Sequence, residues 1–178
     1  MLVSMPASQR ASAGPAALPT LWRLRFISAC QRIPYSAVAL LARFSIAAVF
    51  WTSAQTKVQG LVINLVEGEF RPGWPRLSDS AVALFRDEYK LPGLSPEFAA
   101  VLAATAEHSL ALLLLLGLAT RLSALGLLGM TLVIQLLVYP GAYATHGTWA
   151  ALLLMLLTRG PGILSLDHLL ARRMRRNG

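Results

Sequence analysis

Four apolar runs mark this chain, and the polar segments between them set its organisation. The first, YSAVALLARFSIAAVFWTSA at 35–54, is about as long as the ~20 residues a helix needs to cross a ~30 Å hydrocarbon layer. Pro34 marks its start. The second, at 98–119, is opened by Ser95-Pro96-Glu97, which supplies an N-cap, a first-turn proline and an acidic first turn. The third, at 122–139, follows Arg121 after almost no loop, so the second and third helices must form a tight antiparallel hairpin, which Pro140 and Gly141 end. The fourth, at 142–158, is near the lower limit of a span, and a tilted or partly re-entrant course suits it as well as a full crossing. The pattern predicts an all-α protein, a four-helix transmembrane bundle.

The extended polar region is 57–97, with six acids, five bases and four prolines. Within it DSAVALFRDEYK, at 79–90, places Val82, Phe85 and Tyr89 on one face of an amphipathic helix, expected to lie against the outer mouth of the bundle. Residues 1–20 read as a mobile tail. From Leu21 to Ile27 bulky apolar residues alternate with Arg23 and Arg25, and with Arg32 they suit either an interfacial segment on an anionic membrane face or a disordered basic tail. The domain reading is a tail at 1–33, a membrane domain at 34–170 and a basic tail at 171–178.

Composition sharpens this reading. Of 178 residues, 56% are hydrophobic and 13% charged, against about 25% charged in soluble domains. The net charge of +8 would invite nucleic acid, but 14 of the 16 bases are arginines and most flank apolar runs, whereas a nucleic-acid surface needs a water-facing basic stripe. Lipid bilayer is the partner expected, and nucleic acid is not. With both termini cytoplasmic, ten arginines fall on the inner side, and the five outer bases all lie in 57–97, as the positive-inside rule requires. The lone Cys30 allows no disulfide within the chain and no dithiol chemistry.

Ionisable residues at membrane depth are costly and mark candidate sites. Arg43 lies about 12 Å into helix one from its inner end, and Glu107 about 13.5 Å into helix two from its outer end. Antiparallel packing would bring them to nearly one level, which predicts an Arg43–Glu107 pair, either functional or fixing helix register alone. His108 points about 100° away from Glu107. Secondary candidates read from the residues are His108, Gln135, His146 and Trp149, and Gln135 and Thr131 would hydrogen-bond across the bundle. No metal-ligand signature, phosphate-binding glycine motif or nucleophile elbow occurs, so no metal, catalytic residue or cofactor is assigned from the residues.

Taken together, Arg43, Lys57, LPGLSPEFAA at 91–100, AEHSLALLLLLGLATRLSALGLLGM at 106–130, VIQLLVYPGAYATHGTWAALLL at 133–154 and GPGILSLDHLL at 160–170 resemble the DoxX family of small bacterial membrane proteins. The resemblance covers about 35–170. It implies a multi-pass protein of the bacterial cytoplasmic (inner) membrane, tied to redox or stress-response assemblies, with a quinone as the cofactor it allows and other membrane or periplasmic redox proteins as partners. It carries over no agreed catalytic set, but the positions matching the family pattern, Arg43, Lys57, Glu107, Arg121, His146, Trp149 and Asp167, are candidates through it; of these, Arg121 would neutralise the carbonyl end of helix two, and Ser165 or Asp167 would cap a short terminal helix. Two readings follow: a membrane subunit of an oxidoreductase complex with a quinone near Arg43, Glu107 and the helix-four aromatics, or a non-catalytic partner or small transporter docking a periplasmic protein through its outer loop.

Overall fold

A computed structural model describes residues 17–64 and 68–177; most of the tail expected at 1–20 lies outside them. The chain divides into two compact units, the second starting at Tyr35. In the first, α1 (Ala17–Gln31) is helical, so the alternation of Arg with bulky residues is not a strand period. Trp22 and Phe26, one turn apart, stack at 5.9 Å between ring centres, and Leu24 and Ile27 are exposed.

The second unit is built from α2 (Tyr35–Thr56), α4 (Pro96–Leu116), α5 (Thr120–Val133, continued by a π-helical stretch Ile134–Val138) and α6 (Tyr143–Arg159). They pack in a ring, α2 on α4, α4 on α5, α5 on α6 and α6 on α2. Three of them, Tyr35–Thr56, Pro96–Leu116 and Thr120–Val138, are long and apolar enough to cross a membrane; α6, at 17 residues, is the short one. Helix ends follow the expected chemistry. Ser95 Oγ accepts from the amide of Phe98, and α4 stops at Gly117 with φ +68°, the left-handed conformation glycine adopts without cost.

Small residues form the seams. On α2 the buried positions are Ala39, Ala42, Arg43, Ile46, Ala47, Phe50 and Ala54; on α4 they include Ala100, Ala104, Glu107, Ala111 and Leu114. Such stripes let helix backbones approach closely, which matters where lipid-like surroundings offer no hydrophobic drive to association. Large side chains such as Leu41, Phe44, Leu122 and Leu136 point outward.

The polar segment holds structure that alternation did not reveal. β1 (Val58–Gln59) pairs with β4 (Arg76–Leu77), and inside them β2 (Val62–Asn64) pairs with β3 (Glu69–Arg71), both antiparallel. Their crossing needs glycine: a Cβ on Gly73 would strike the Gly60 carbonyl, and Gly60 itself has φ +92°. The amphipathic helix is present as α3 (Asp79–Leu84) followed by a π-helical turn Phe85–Tyr89. Ala81 and Phe85 pack with Ala99 and Ala100 of α4, joined by Val82 and Tyr89. The first turns of α4 therefore rise past the end of α2 and are sheathed by this element. The last helix, α7 (Leu166–Asn177), begins at Ser165, whose Oγ accepts from the His168 amide.

Candidate functional site

The helix register corrects the central sequence expectation. Glu107 does not meet Arg43. Its carboxylate accepts from Lys57 Nζ at 2.8 and 3.1 Å and from Ser53 Oγ at 3.3 Å. Ser53 is thus level with Glu107, while Arg43 Nη1 lies against Gly117, ten residues further along both antiparallel helices. At 1.5 Å per residue that is about 15 Å. The depth count failed because it set the outer ends of both helices at one membrane plane, whereas the start of α4 extends past the end of α2.

Lys57, one residue beyond α2, is 3% exposed. It continues the buried stripe through Phe50 and Ala54 at helical spacing. Its Nζ also donates to Ser53 Oγ at 2.9 Å and to the Ser53 carbonyl at 3.2 Å, so each hydrogen of the ammonium has an acceptor. A charge pair so far from solvent needs such extra bonds to offset lost hydration.

Glu107 also forms part of the wall of an apolar chamber of about 320 Å³ between the Phe85–Tyr89 turn, α4 and α5. Among the described residues it is the only charged one in that wall; the rest includes Phe85, Tyr89, Leu102, Ala106, Met130 and Ile134. Tyr89 provides a second polar group. Burial, together with the Glu107 and Glu88 carboxylates, pushes its phenol above the ordinary range, so it stays protonated as a donor. Tyr139 donates to Glu88 and stands edge-on to Tyr89 at 6.1 Å, tying the turn to the end of α5. Neither Arg43 nor Trp149 lines this chamber, so the expected grouping of Arg43, Glu107 and helix-four aromatics is not formed.

The remaining candidates fall into three places. His108 faces α2: its Nδ1 meets the Ala104 carbonyl at 2.8 Å, so that nitrogen carries the proton, and its Nε2 accepts from Gln55 Nε2 at 2.9 Å. Gln55 Oε1 accepts from the Ile63 amide and Trp51 Nε1 donates to the Ile63 carbonyl. The inner hairpin is thereby pinned over a second apolar groove between α2 and α4.

His146, Gln135 and Trp149 form another cluster. His146 Nδ1 lies 2.8 Å from Gln135 Oε1, and its ring is 5.1 Å from Trp149, which packs on Phe50. Gln135 bridges helices as expected, with its amide on the Pro140 carbonyl, whereas Thr131 bonds only its own helix at Leu127.

At the far end, Asp167 caps a helix other than its own. Its two oxygens accept from the Ala119 and Thr120 amides at 2.8 and 2.9 Å, completing the N-terminus of α5. Arg121 reaches the Thr158 carbonyl of α6 at 3.5 Å rather than the end of α4. Arg43 Nη1 donates to the Pro161 carbonyl at 3.2 Å.

No curated protein and no solved structure matches the chain. The DoxX family model matches residues 38–140, more than half of the chain, from the first turn of α2 through the buried Lys57–Glu107 pair to the end of α5. A multi-pass membrane protein with this match is what the apolar helices and their buried charges describe, and the chain belongs to the DoxX family.

Proposed function

We propose that the protein is a four-crossing subunit of a redox assembly in the bacterial cytoplasmic membrane, and that the chamber beside Glu107 takes the head of a quinone-type lipophilic carrier. One observation carries this reading: a single buried carboxylate, held by Lys57 and Ser53, lies in an otherwise apolar wall with a protonated phenol on the facing turn. The volume is at the small end of small-molecule pockets, about 300–1,000 Å³, and suits a ring with two oxygens rather than a whole lipid.

A bound quinone would supply two-electron chemistry coupled to protons. The chain's own residues would do the rest. Tyr89 Oη donates a hydrogen bond to an oxygen of the head, the leucines and alanines of α4 exclude water, and Glu107 takes or returns a proton while Lys57 compensates its charge. Electrons would pass to or from a partner of the assembly. All four helices cross in this reading, with the arginine-rich ends of α5, α6 and α7 on the cytoplasmic side. A reporter fused after α7 and active on the outer face would refute that orientation.

Gly129 lines the chamber and a Cβ there meets nothing within 4 Å. Gly129→Phe should therefore fill the cavity without disturbing the bundle. Wild-type protein purified in mild detergent is expected to yield extractable quinone near one per chain, and G129F little. Absence of quinone from the wild type, with no change in a quinone-linked activity on deletion, would remove the reading.

A second reading, a membrane partner for a periplasmic protein, draws on Trp74 and Phe70, which are 84% and 66% exposed on the nested hairpins. Their substitution by Ser would abolish co-purification of such a partner and leave bound quinone unchanged.

A further inference from the structure

The end of the bundle opposite the Lys57–Glu107 pair contains a polar pocket of about 340 Å³ that the function above does not use. Arg121 and Arg159 stand on its rim, with Thr120, Gly160, Pro161 and Asp167 behind them. Both guanidinium groups belong to exposed residues, and among the described residues neither is in an ion pair. The carboxylate of Asp167 is committed, since both its oxygens accept backbone amides. Arg43, which does not line the pocket, lies behind Pro161, bonded through Nη1 to the Pro161 carbonyl, and its Nε has no partner among the described residues. Thr120 Oγ1, on a fully buried residue of the pocket wall, also lacks one. Two guanidinium groups without a carboxylate partner among the described residues, Arg121 on the Thr158 carbonyl and Arg159 over the Tyr35 ring, stand at this mouth with an unsatisfied hydroxyl in the wall and make a receptor for an oxyanion.

The surroundings indicate which oxyanion. Arg121 opens α5, directly followed by Leu122, which is 71% exposed. Leading away from the pocket, α7 exposes Leu169, Leu170 and Met174 together with four arginines, the composition of a helix lying in a headgroup layer. We infer that Arg121 and Arg159 bind the phosphate of an anionic phospholipid headgroup, with the acyl chains running along α5 past Leu122. The shared chemistry is a phosphate uncompensated by a cation, and a soluble phosphate would satisfy the same forks without the chains.

The test uses the full chain in mild detergent and counts retained phosphatidylglycerol by native mass spectrometry, against phosphatidylcholine as competitor. The wild type should retain one phosphatidylglycerol in preference. Arg121→Gln with Arg159→Gln should lower that retention about tenfold or more, the effect of losing charge-assisted bonds. R121K/R159K, which keeps charge and loses the forks, should lie between. Replacing the four α7 arginines by Gln should reduce vesicle binding in general and leave the single retained lipid in place. Displacement of that lipid by inorganic phosphate, but not by sulfate-free buffer of equal ionic strength, supports the site and assigns it to phosphate itself; resistance to displacement assigns it to the lipid. Unchanged retention in a folded R121Q/R159Q protein, or loss caused by the α7 variant alone, would overturn the inference.

Discussion

The Lys57 ammonium and the Glu107 carboxylate, 50 residues apart in sequence, meet at 2.8 Å with about 4% and 3% of their side chains exposed. Removing one member of such a pair strands the other without compensation. Lys57→Met should therefore cost about 3–5 kcal/mol, whereas K57M combined with Glu107→Leu should recover most of that loss. Denaturant or thermal unfolding in detergent separates the two outcomes; a double variant no better than K57M would mean that the pair contributes net stability.

Asp167 and Ala119 offer a second comparison at one turn. Ala119 has φ +49° and no side chain of its own to cap α5. Ala119→Gly should relieve the left-handed strain and raise stability by about 1 kcal/mol. Asp167→Ala leaves two amides without acceptors and should cost about 1–3 kcal/mol, and Asp167→Asn should cost less, since its amide oxygen keeps one of the two bonds while its NH2 group accepts neither. The melting temperatures should fall in the order A119G, wild type, D167N, D167A.

Gly117 gives a third. A Cβ there would occupy the place of Arg43 Nη1 and crowd Ser165, and the φ of +68° disfavours any other residue. Gly117→Ala should destabilise by about 2 kcal/mol or more. Thermal unfolding within error of the wild type would show that Arg43 moves aside freely.

The inner hairpin depends on His108. His108→Leu removes the acceptor for Gln55 Nε2, and Gln55 in turn holds Ile63. Amide exchange at Ile63 and protease cleavage within 58–77 should accelerate about fivefold, the effect of one hydrogen bond of about 1 kcal/mol. The helices themselves should stay protected.

The sequence is most explicit where one physical requirement dominates. Unbroken apolar length marks α2, α4 and α5, and Ser95-Pro96 locates the start of α4 within two residues. Val82, Phe85 and Tyr89 were legible as one face because helix period repeats there. Pairing was not legible. Whether Glu107 meets Arg43 or Lys57 depends on how far one helix slides past another, and each candidate base sits on the same buried stripe of α2. The short strands escaped notice because two or three residues, many of them exposed, carry no alternation. Asp167 was seen as a cap, but for the wrong helix, since a cap 48 residues away leaves no local spacing to read.

That distant cap has a consequence for synthesis. The hairpin of α4 and α5 turns through Gly117, Leu118 and Ala119 well before Asp167 has been translated. Until the ribosome has added those 48 residues, the amides of Ala119 and Thr120 must find other acceptors. The nascent hairpin is thus closed only provisionally, and the first turn of α7 acts as its latch. A transcript truncated before Asp167 would leave every long apolar helix intact and still yield a bundle whose central turn is unlocked, an identifiable target for membrane proteolysis.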